Sequence, residues 1–172
     1  LQHLKRLPTS RDHQRYRRRA LSEDEIRRFL AAAEADDERC DLLADDVRIP
    51  QAPLFRMLIG TGARYTEAIN TRWGDVDFTR RLLVLRAENT KSRKQRVIPL
   101  GEDLVRTLRA LAVVHEWRFG RLPAADGPIF LAPKATPWPW HTANLMRIFD
   151  RVLDKAGIAK LDTEGRKLDL HA

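Results

Sequence analysis

Arg64 stands at a junction between two predicted helices, where a charged side chain can reach a bound anion. It follows Thr61-Gly62-Ala63, and this glycine marks the end of one helix just before the next begins. An arginine there can offer its planar guanidinium to two oxygens at once, and the amide groups of the following helix start add to an anion site. A plainer interpretation is a surface ion pair with Glu67, three residues on, which is worth roughly a few tenths of a kcal/mol. The residue alone favours the plainer interpretation.

Lys91 lies in a polar stretch between two predicted strands. A lysine at the tip of a hairpin can enter a DNA groove and donate a proton. Three further cations follow it closely and would contact phosphates: Arg93, Lys94 and Arg96. An ordinary charged hairpin tip explains the spacing at least as well.

His171 comes directly after the short apolar alternation Leu168-Asp169-Leu170. Its imidazole can exchange a proton near neutral pH and could therefore take part in acid–base chemistry. A single histidine is more often structural or simply exposed, so His171 carries little weight by itself.

The elements that would position these residues are mainly helical. Ser22 and Glu25 form a capping-box pattern that predicts the first helix, which continues to about Ala33 and gives way to an irregular acidic stretch over 34–48. Apolar periodicity predicts further helices at about 50–62, 65–72, 102–119 and 142–156, and strands at 76–78, 82–86 and 97–100. The predicted fold class is mainly α with a small antiparallel three-stranded β-sheet (α+β).

Positive charge is concentrated in two short stretches. The chain has a net charge of +8, and residues 1–20 and 80–96 each carry seven Lys or Arg against one acid, which leaves the remainder net acidic. This distribution favours a polyanion-binding face. We interpret 1–20 as a basic linker and 21–172 as one domain. The arginines of the first stretch expected to bind DNA are Arg15, Arg17, Arg18 and Arg19.

Composition excludes several classes of protein. The chain is 43% hydrophobic and 33% charged, which is typical of a globular protein and not of a disordered one. No apolar run approaches the roughly 20 residues of a membrane span. A single cysteine, Cys40, cannot form an internal disulfide or a zinc cluster. We therefore expect a cytoplasmic protein with no metal, no cofactor and no membrane partner.

Taken together and in this order, the motifs resemble those of the tyrosine recombinase (phage integrase) family. The matching segments are Thr61-Gly62-Ala63-Arg64 with Glu67-Ala68, Trp73 to Phe78, Thr90-Lys91 with Arg96 and Pro99-Leu100, Ile129-Phe130, and Leu168 to His171. The resemblance spans roughly residues 20–172, and it implies that 1–20 are a basic interdomain linker with the tail of a preceding core-binding domain. It implies that Arg64 is the first catalytic arginine, Lys91 the β-hairpin lysine and His171 the histidine of a His-x-x-Arg motif. We expect Glu67 to orient the catalytic groups without contacting the substrate.

The same resemblance implies a site-specific DNA recombinase that cuts and rejoins double-stranded DNA through a phosphotyrosine, with other protomers in a tetrameric synapse. The family's second arginine and its nucleophilic tyrosine would lie beyond Ala172. We therefore expect a truncated catalytic domain that is itself inactive. The alternative is a non-catalytic DNA-binding module, which the two basic stretches fit equally well.

Overall fold

The structure is a computed structural model that describes residues 18–42, 48–138 and 143–168. Within these ranges it contains the predicted combination of helices and one small antiparallel sheet. The helices are α1 (Glu23–Leu42), α2 (Ala52–Thr61), α3 (Tyr65–Ile69), α4 (Glu102–Phe119) and α5 (Ala143–Lys155). The strands are β1 (Val76–Asp77), β2 (Leu82–Leu85) and β3 (Arg96–Pro99).

Helix α1 begins at the predicted capping box. The amide of Ser22 donates to Glu25 Oε2 at 2.9 Å, and the amide of Glu25 donates to Ser22 Oγ at 3.2 Å. The prediction of irregular chain from residue 34 was wrong as far as Leu42, because α1 continues without a break. Asp36, in this part of α1, binds Arg151 and Lys155 of α5, and that distant pairing gives the acidic stretch a helical partner.

The core lies where α1, α2 and α5 meet. Phe29, Phe55 and Phe149, one from each helix, are buried with ring centroids 5.1 and 5.3 Å from Phe29 to the other two. Aromatic contacts of this kind combine large burial with favourable edge geometry. Helix α2 is therefore fixed on the core along its length, which in turn fixes the junction at its C-terminal end.

Helix α3 is shorter than predicted. It ends at Ile69 instead of Arg72, because the Thr71 hydroxyl donates to the Ala68 carbonyl at 2.6 Å and the Thr71 carbonyl accepts from the Ile129 amide at 3.1 Å. The chain thus leaves the helix, and Thr71 pairs with the extended segment at Ile129, which follows α4 in the sequence. Five residues of α-helix span only about 8 Å, so both ends of α3 lie close together.

The sheet has the order β1-β2-β3, and all its pairs are antiparallel. Leu83 of β2 pairs with Val76 on one side and Ile98 on the other, and Leu83 and Leu85 point into the core. Strand β3 starts at Arg96, one residue earlier than predicted, since Arg96 pairs with Leu85. This register places Arg96 at the end of the sheet where the polar connection between β2 and β3 begins.

Helix α4 has the predicted bounds and packs against α2, with Leu104, Leu108 and Leu111 buried. Helix α5 has bounds within one residue of those predicted, and its buried face includes Leu145 and Val152. In the described ranges, no helix combines the length and the apolar character that crossing a bilayer requires.

Candidate functional site

Arg64 occupies the N-cap position of α3, one residue after a tight reversal. Gly62 adopts φ +61°, the left-handed conformation that glycine takes without steric strain, and its amide donates to the Leu58 carbonyl at 3.0 Å to end α2. Arg64 then has extended backbone angles and starts α3. Its side chain is 56% exposed, so the reversal presents the guanidinium at the surface of the junction.

Glu67 is the partner of Arg64 but is not a surface acid. The residue is 1% exposed. Its Oε2 accepts the Arg64 amide at 2.9 Å, and its Oε1 accepts Arg64 Nη1 at 3.0 Å. The i to i+3 pair considered from sequence is therefore present, but one of its partners is a buried carboxylate that also caps the helix. Such a carboxylate must be compensated by charge, since water cannot reach it.

A second arginine shares the same carboxylate. Arg96 Nη2 donates to Glu67 Oε2 at 2.7 Å, and the Arg96 side chain is 42% exposed. From the sequence Arg96 is expected only as a phosphate contact, because its bond to Glu67 requires β3 to lie beside α3. Two guanidinium groups and one carboxylate leave this cluster with a formal net charge of +1.

Lys91 lies in the connection between β2 and β3, which is attached at one end to Asn70, the C-cap of α3, and at the other end to α3 itself. On one side of Lys91, Asn89 Nδ2 donates to the Asn70 carbonyl at 3.3 Å. On the other side, Arg96 binds Glu67. Lys91 is therefore held in a segment that is anchored to α3, the five-residue helix that Arg64 caps. Its side chain is exposed.

The turn that carries Lys91 is organised by Thr90. This threonine is only 5% exposed, and its Oγ accepts the Lys94 amide at 3.1 Å while lying 2.9 Å from the Lys94 carbonyl. The Arg93 amide donates to the Thr90 carbonyl at 3.0 Å, and Arg93 has φ +51°, which reverses the chain. The side chains of Lys91, Arg93 and Lys94 are all exposed on this closed turn.

Arg86 belongs to the same basic stretch but has a structural partner. Its Nε and Nη2 form a bidentate pair with Asp75 at 2.8 and 2.9 Å. This hydrogen bonding raises the pKa of Arg86. The pair joins the end of β2 to the turn before β1, so Arg86 stabilises the sheet that positions the connection.

The first basic stretch is only partly described. Arg15, Arg17 and His171 lie outside the described residues. Arg18 is exposed and pairs through its backbone with Lys167, whereas Arg19 donates to Glu25 at 2.9 Å and to the Ala159 carbonyl at 2.6 Å. The Arg19 guanidinium thus holds the start of α1 against the segment after α5. The predicted boundary between residues 20 and 21 remains a prediction.

Tyr65 follows Arg64 directly but is 1% exposed, and burial raises the pKa of its hydroxyl. Its side chain lies in the core, so its oxygen cannot meet a substrate at the surface of the junction. Tyr16, the other tyrosine in the sequence, is outside the described residues.

This arrangement can bind and polarise an anion. Exposed guanidinium groups at fixed positions stabilise charge that develops on the non-bridging oxygens of a phosphodiester. An ammonium group on a neighbouring turn can supply a proton to an oxygen that leaves. Among the described residues, no three His, Cys, Asp or Glu stand together as metal ligands.

The sequence of this chain matches one protein family and several curated proteins. Residues 19–169 match the family model described as the phage integrase family. The chain is 26% identical over 140 residues to the tyrosine recombinase XerH of Campylobacter jejuni subsp. jejuni serotype O:2, covering 81% of this chain and 35% of that protein. It is 33% identical over 113 residues to the tyrosine recombinase XerC of Chlorobaculum parvum, covering 61% of this chain and 32% of that protein. The chain thus spans about a third of the length of these curated relatives.

Two solved structures have the same fold. The crystal structure of XerA recombinase superposes with a TM-score of 0.63 and 23% identity, covering 91% of this chain and 48% of that one. The Tn1549 transposon integrase in complex with a circular intermediate DNA superposes with a TM-score of 0.65 and 17% identity, covering 93% of this chain and 52% of that one. At these identities the likeness concerns the fold.

Proposed function

This chain belongs to the phage integrase family, and on that premise we propose that it supplies the phosphate-binding part of a site-specific DNA recombinase. The observation that carries the proposal is the cluster of Arg64, Glu67 and Arg96 beside the turn that bears Lys91. The curated relatives are tyrosine recombinases, and one structural neighbour was solved with DNA. Their names and the basic surface of this chain support double-stranded DNA as the partner. We propose that the chain binds this DNA in the cytoplasm.

The proposed reaction is transesterification at a DNA phosphodiester. A tyrosine hydroxyl attacks the phosphorus, the bond to the 5′ oxygen breaks, and a phosphotyrosine conserves the bond energy for rejoining to another strand. Arg64 stabilises the negative charge on the non-bridging oxygens, and Lys91 gives a proton to the departing 5′ oxygen. His171 positions or deprotonates the nucleophile.

The nucleophile is proposed to lie outside these 172 residues. Tyr65 is buried in the core, and Tyr16 belongs to the first basic stretch. The chain would therefore bind DNA without cutting it, and the assembly of protomers into a synapse belongs to the complete gene product.

The test is covalent-complex formation by the complete gene product on a nicked duplex, measured as a protein–DNA adduct that survives detergent. Arg64→Ala is expected to lower adduct formation by about 10²- to 10³-fold, the usual effect of removing one group that stabilises a charged transition state. Arg106→Ala is the matched control, because Arg106 also pairs with an acid three residues away but on the surface of α4.

Unchanged adduct formation in the Arg64→Ala variant would remove Arg64 from the reaction. A gene product that binds DNA but never forms an adduct would instead support the non-catalytic DNA-binding module.

A further inference from the structure

The charge of the phosphate site depends on an arginine in the sheet. Glu67 is 1% exposed and has each of its oxygens engaged by a different guanidinium group, Arg64 on Oε1 and Arg96 on Oε2. A carboxylate in this position cannot be screened by water, so it acts on both arginines at short range. Taken alone, Arg64 and Glu67 form a neutral pair.

We propose that Arg96 is a positioning residue that gives the site its net positive charge. By binding Oε2 of Glu67, Arg96 offsets the negative charge of the carboxylate. The positive charge of Arg64 is then not cancelled by Glu67 and remains available to attract a DNA phosphate. This inference rests on the proposed function, since it concerns the same phosphate site. It differs from the direct phosphate contact expected from the sequence, because the main effect of Arg96 passes through Glu67 to Arg64.

The geometry supports a role of this kind. Arg96 is the first residue of β3, where its pairing with Leu85 fixes the backbone. The bond between Arg96 and Glu67 is 2.7 Å long, the length of a charge-assisted hydrogen bond. If Arg96 were lost, the partners that Glu67 keeps within the described part of the chain would be the amide and the guanidinium of Arg64, so its charge would act mainly on Arg64.

The two roles predict different results in a double-mutant cycle. If Arg96 acts through Glu67, the effect of Arg96→Gln depends strongly on whether residue 67 carries a charge. If Arg96 only contacts its own phosphate, Arg96→Gln weakens binding by the same factor with Glu67 or with Gln at that position. Lys94→Gln is the matched control, because it removes one charge from the turn that precedes β3, and no hydrogen bond or ion pair joins Lys94 to Glu67 among the described residues.

The experiment measures binding of this 172-residue chain to a fluorescent DNA duplex by anisotropy over a range of salt concentrations. We expect Arg96→Gln to weaken binding by about tenfold when Glu67 is present but by only about two- to threefold in the Glu67→Gln background. We also expect it to reduce the slope of log K against log [salt] by about 1 when Glu67 is present. Lys94→Gln should weaken binding by equal factors in both backgrounds.

Equal factors for Arg96→Gln in the two backgrounds, with binding by the unsubstituted chain intact, would overturn the inference. If Glu67→Gln does not fold, as judged by thermal unfolding, the Arg64→Gln background decides instead. The factor by which Arg96→Gln weakens binding should shrink in that background, because the effect passes to Arg64, and an equal factor in both backgrounds would also overturn the inference. Failure of the unsubstituted chain to bind duplex even at low salt would overturn the proposed function, and this inference with it.

Discussion

Arg96, the first residue of β3, donates a hydrogen bond of 2.7 Å to Glu67, which precedes it by 29 residues and is buried in α3. The other oxygen of Glu67 accepts Arg64 Nη1 at 3.0 Å. The candidate phosphate site is therefore built across two elements, a five-residue helix and the edge of a small sheet. Changes in either element should affect it.

Lys91→Arg separates charge from proton transfer in the complete gene product. The guanidinium keeps the positive charge, but it cannot give up a proton in a protein. We expect DNA affinity to be retained and the rate of strand cleavage to fall by about 10²-fold, measured as adduct formed per unit time. A substrate with sulfur in place of the 5′ bridging oxygen should restore the rate, since a thiolate leaves without a proton.

Arg64→Ala is the control for that substitution, because a better leaving group does not replace charge on the non-bridging oxygens. The assignment of Lys91 as proton donor is wrong if sulfur restores neither variant or both equally.

Thr90→Val should loosen the turn that carries Lys91 while preserving the shape of the buried side chain. The Lys94 amide and carbonyl lose their hydroxyl partner, so the free energy of unfolding is expected to fall by about 1–2 kcal/mol. DNA affinity should fall as well, because Lys91 and Lys94 lose their fixed positions. Both are measured on the 172-residue chain, by denaturant unfolding and by anisotropy.

Thr107→Val provides the comparison. Its hydroxyl donates to the Asp103 carbonyl within α4, away from the turn. DNA affinity that falls equally in both threonine variants would show that the Thr90 turn has no particular role in binding.

The 172-residue chain should form no covalent adduct with a nicked duplex. The Tyr65 hydroxyl is part of a residue that is 1% exposed, and its raised pKa disfavours the nucleophilic form. Denaturing electrophoresis of the incubated mixture measures the adduct. An adduct that disappears on Tyr65→Phe or Tyr16→Phe would place the nucleophile within this chain.

Stability should depend on pH in opposite ways at two neighbouring acids of α1. Burial raises the pKa of Asp37 to about 6, against the opposing hydrogen bonds from the Ala52 and Gln51 amides. The folded state therefore binds this proton before the unfolded state does, and the contribution of Asp37 to stability rises as the pH falls from about 7 to about 4. Asp37→Asn should flatten that rise, because the amide does not titrate in this range, measured by denaturant unfolding across the pH range.

Asp36 has the opposite sign and serves as the comparison. Burial alone would raise the pKa of Asp36, but hydrogen bonds from Arg151, Lys155 and Arg39 lower it to about 2. Its contribution is therefore present above about pH 4 and is lost as the pH falls toward 2. Asp36→Asn should destabilise the chain at neutral pH, measured by denaturant unfolding across the pH range. An Asp37→Asn variant that keeps the rise between pH 7 and 4, or an Asp36→Asn variant that keeps the loss toward pH 2, would contradict these assignments.

Local signals in the sequence were sufficient to predict most of the elements. The leucine spacing of α4 gave its bounds, and the Ser22–Glu25 capping box gave the start of α1. The continuation of α1 through Asp36 could not be predicted, because the stabilising partners, Arg151 and Lys155, lie 115 and 119 residues away. Without knowledge of those partners, the acidic sequence over 34–48 has the composition of a loop.

The residues of the candidate site and the pair of Arg64 with Glu67 were proposed from the sequence, but the contact of Arg96 with Glu67 was not. Arg64, Glu67, Lys91 and Arg96 were all identified from motif and charge. That Glu67 is buried, and that it joins Arg64 to Arg96, follows from the packing of β3 beside α3, which no local pattern encodes. Arg19 was expected to bind DNA because it lies in a basic run. That run gave no sign that its guanidinium binds Glu25 and the Ala159 carbonyl within the chain.

The proposed phosphate site is tested most directly by a crystal structure of this chain bound to a short DNA duplex. The predicted result is one phosphodiester with a nitrogen of the Arg64 guanidinium and the Lys91 ammonium both within about 3.2 Å of its oxygens. Arg64 and Lys91 bound to different phosphates, or a duplex bound on another face of the chain, would contradict the proposed phosphate site.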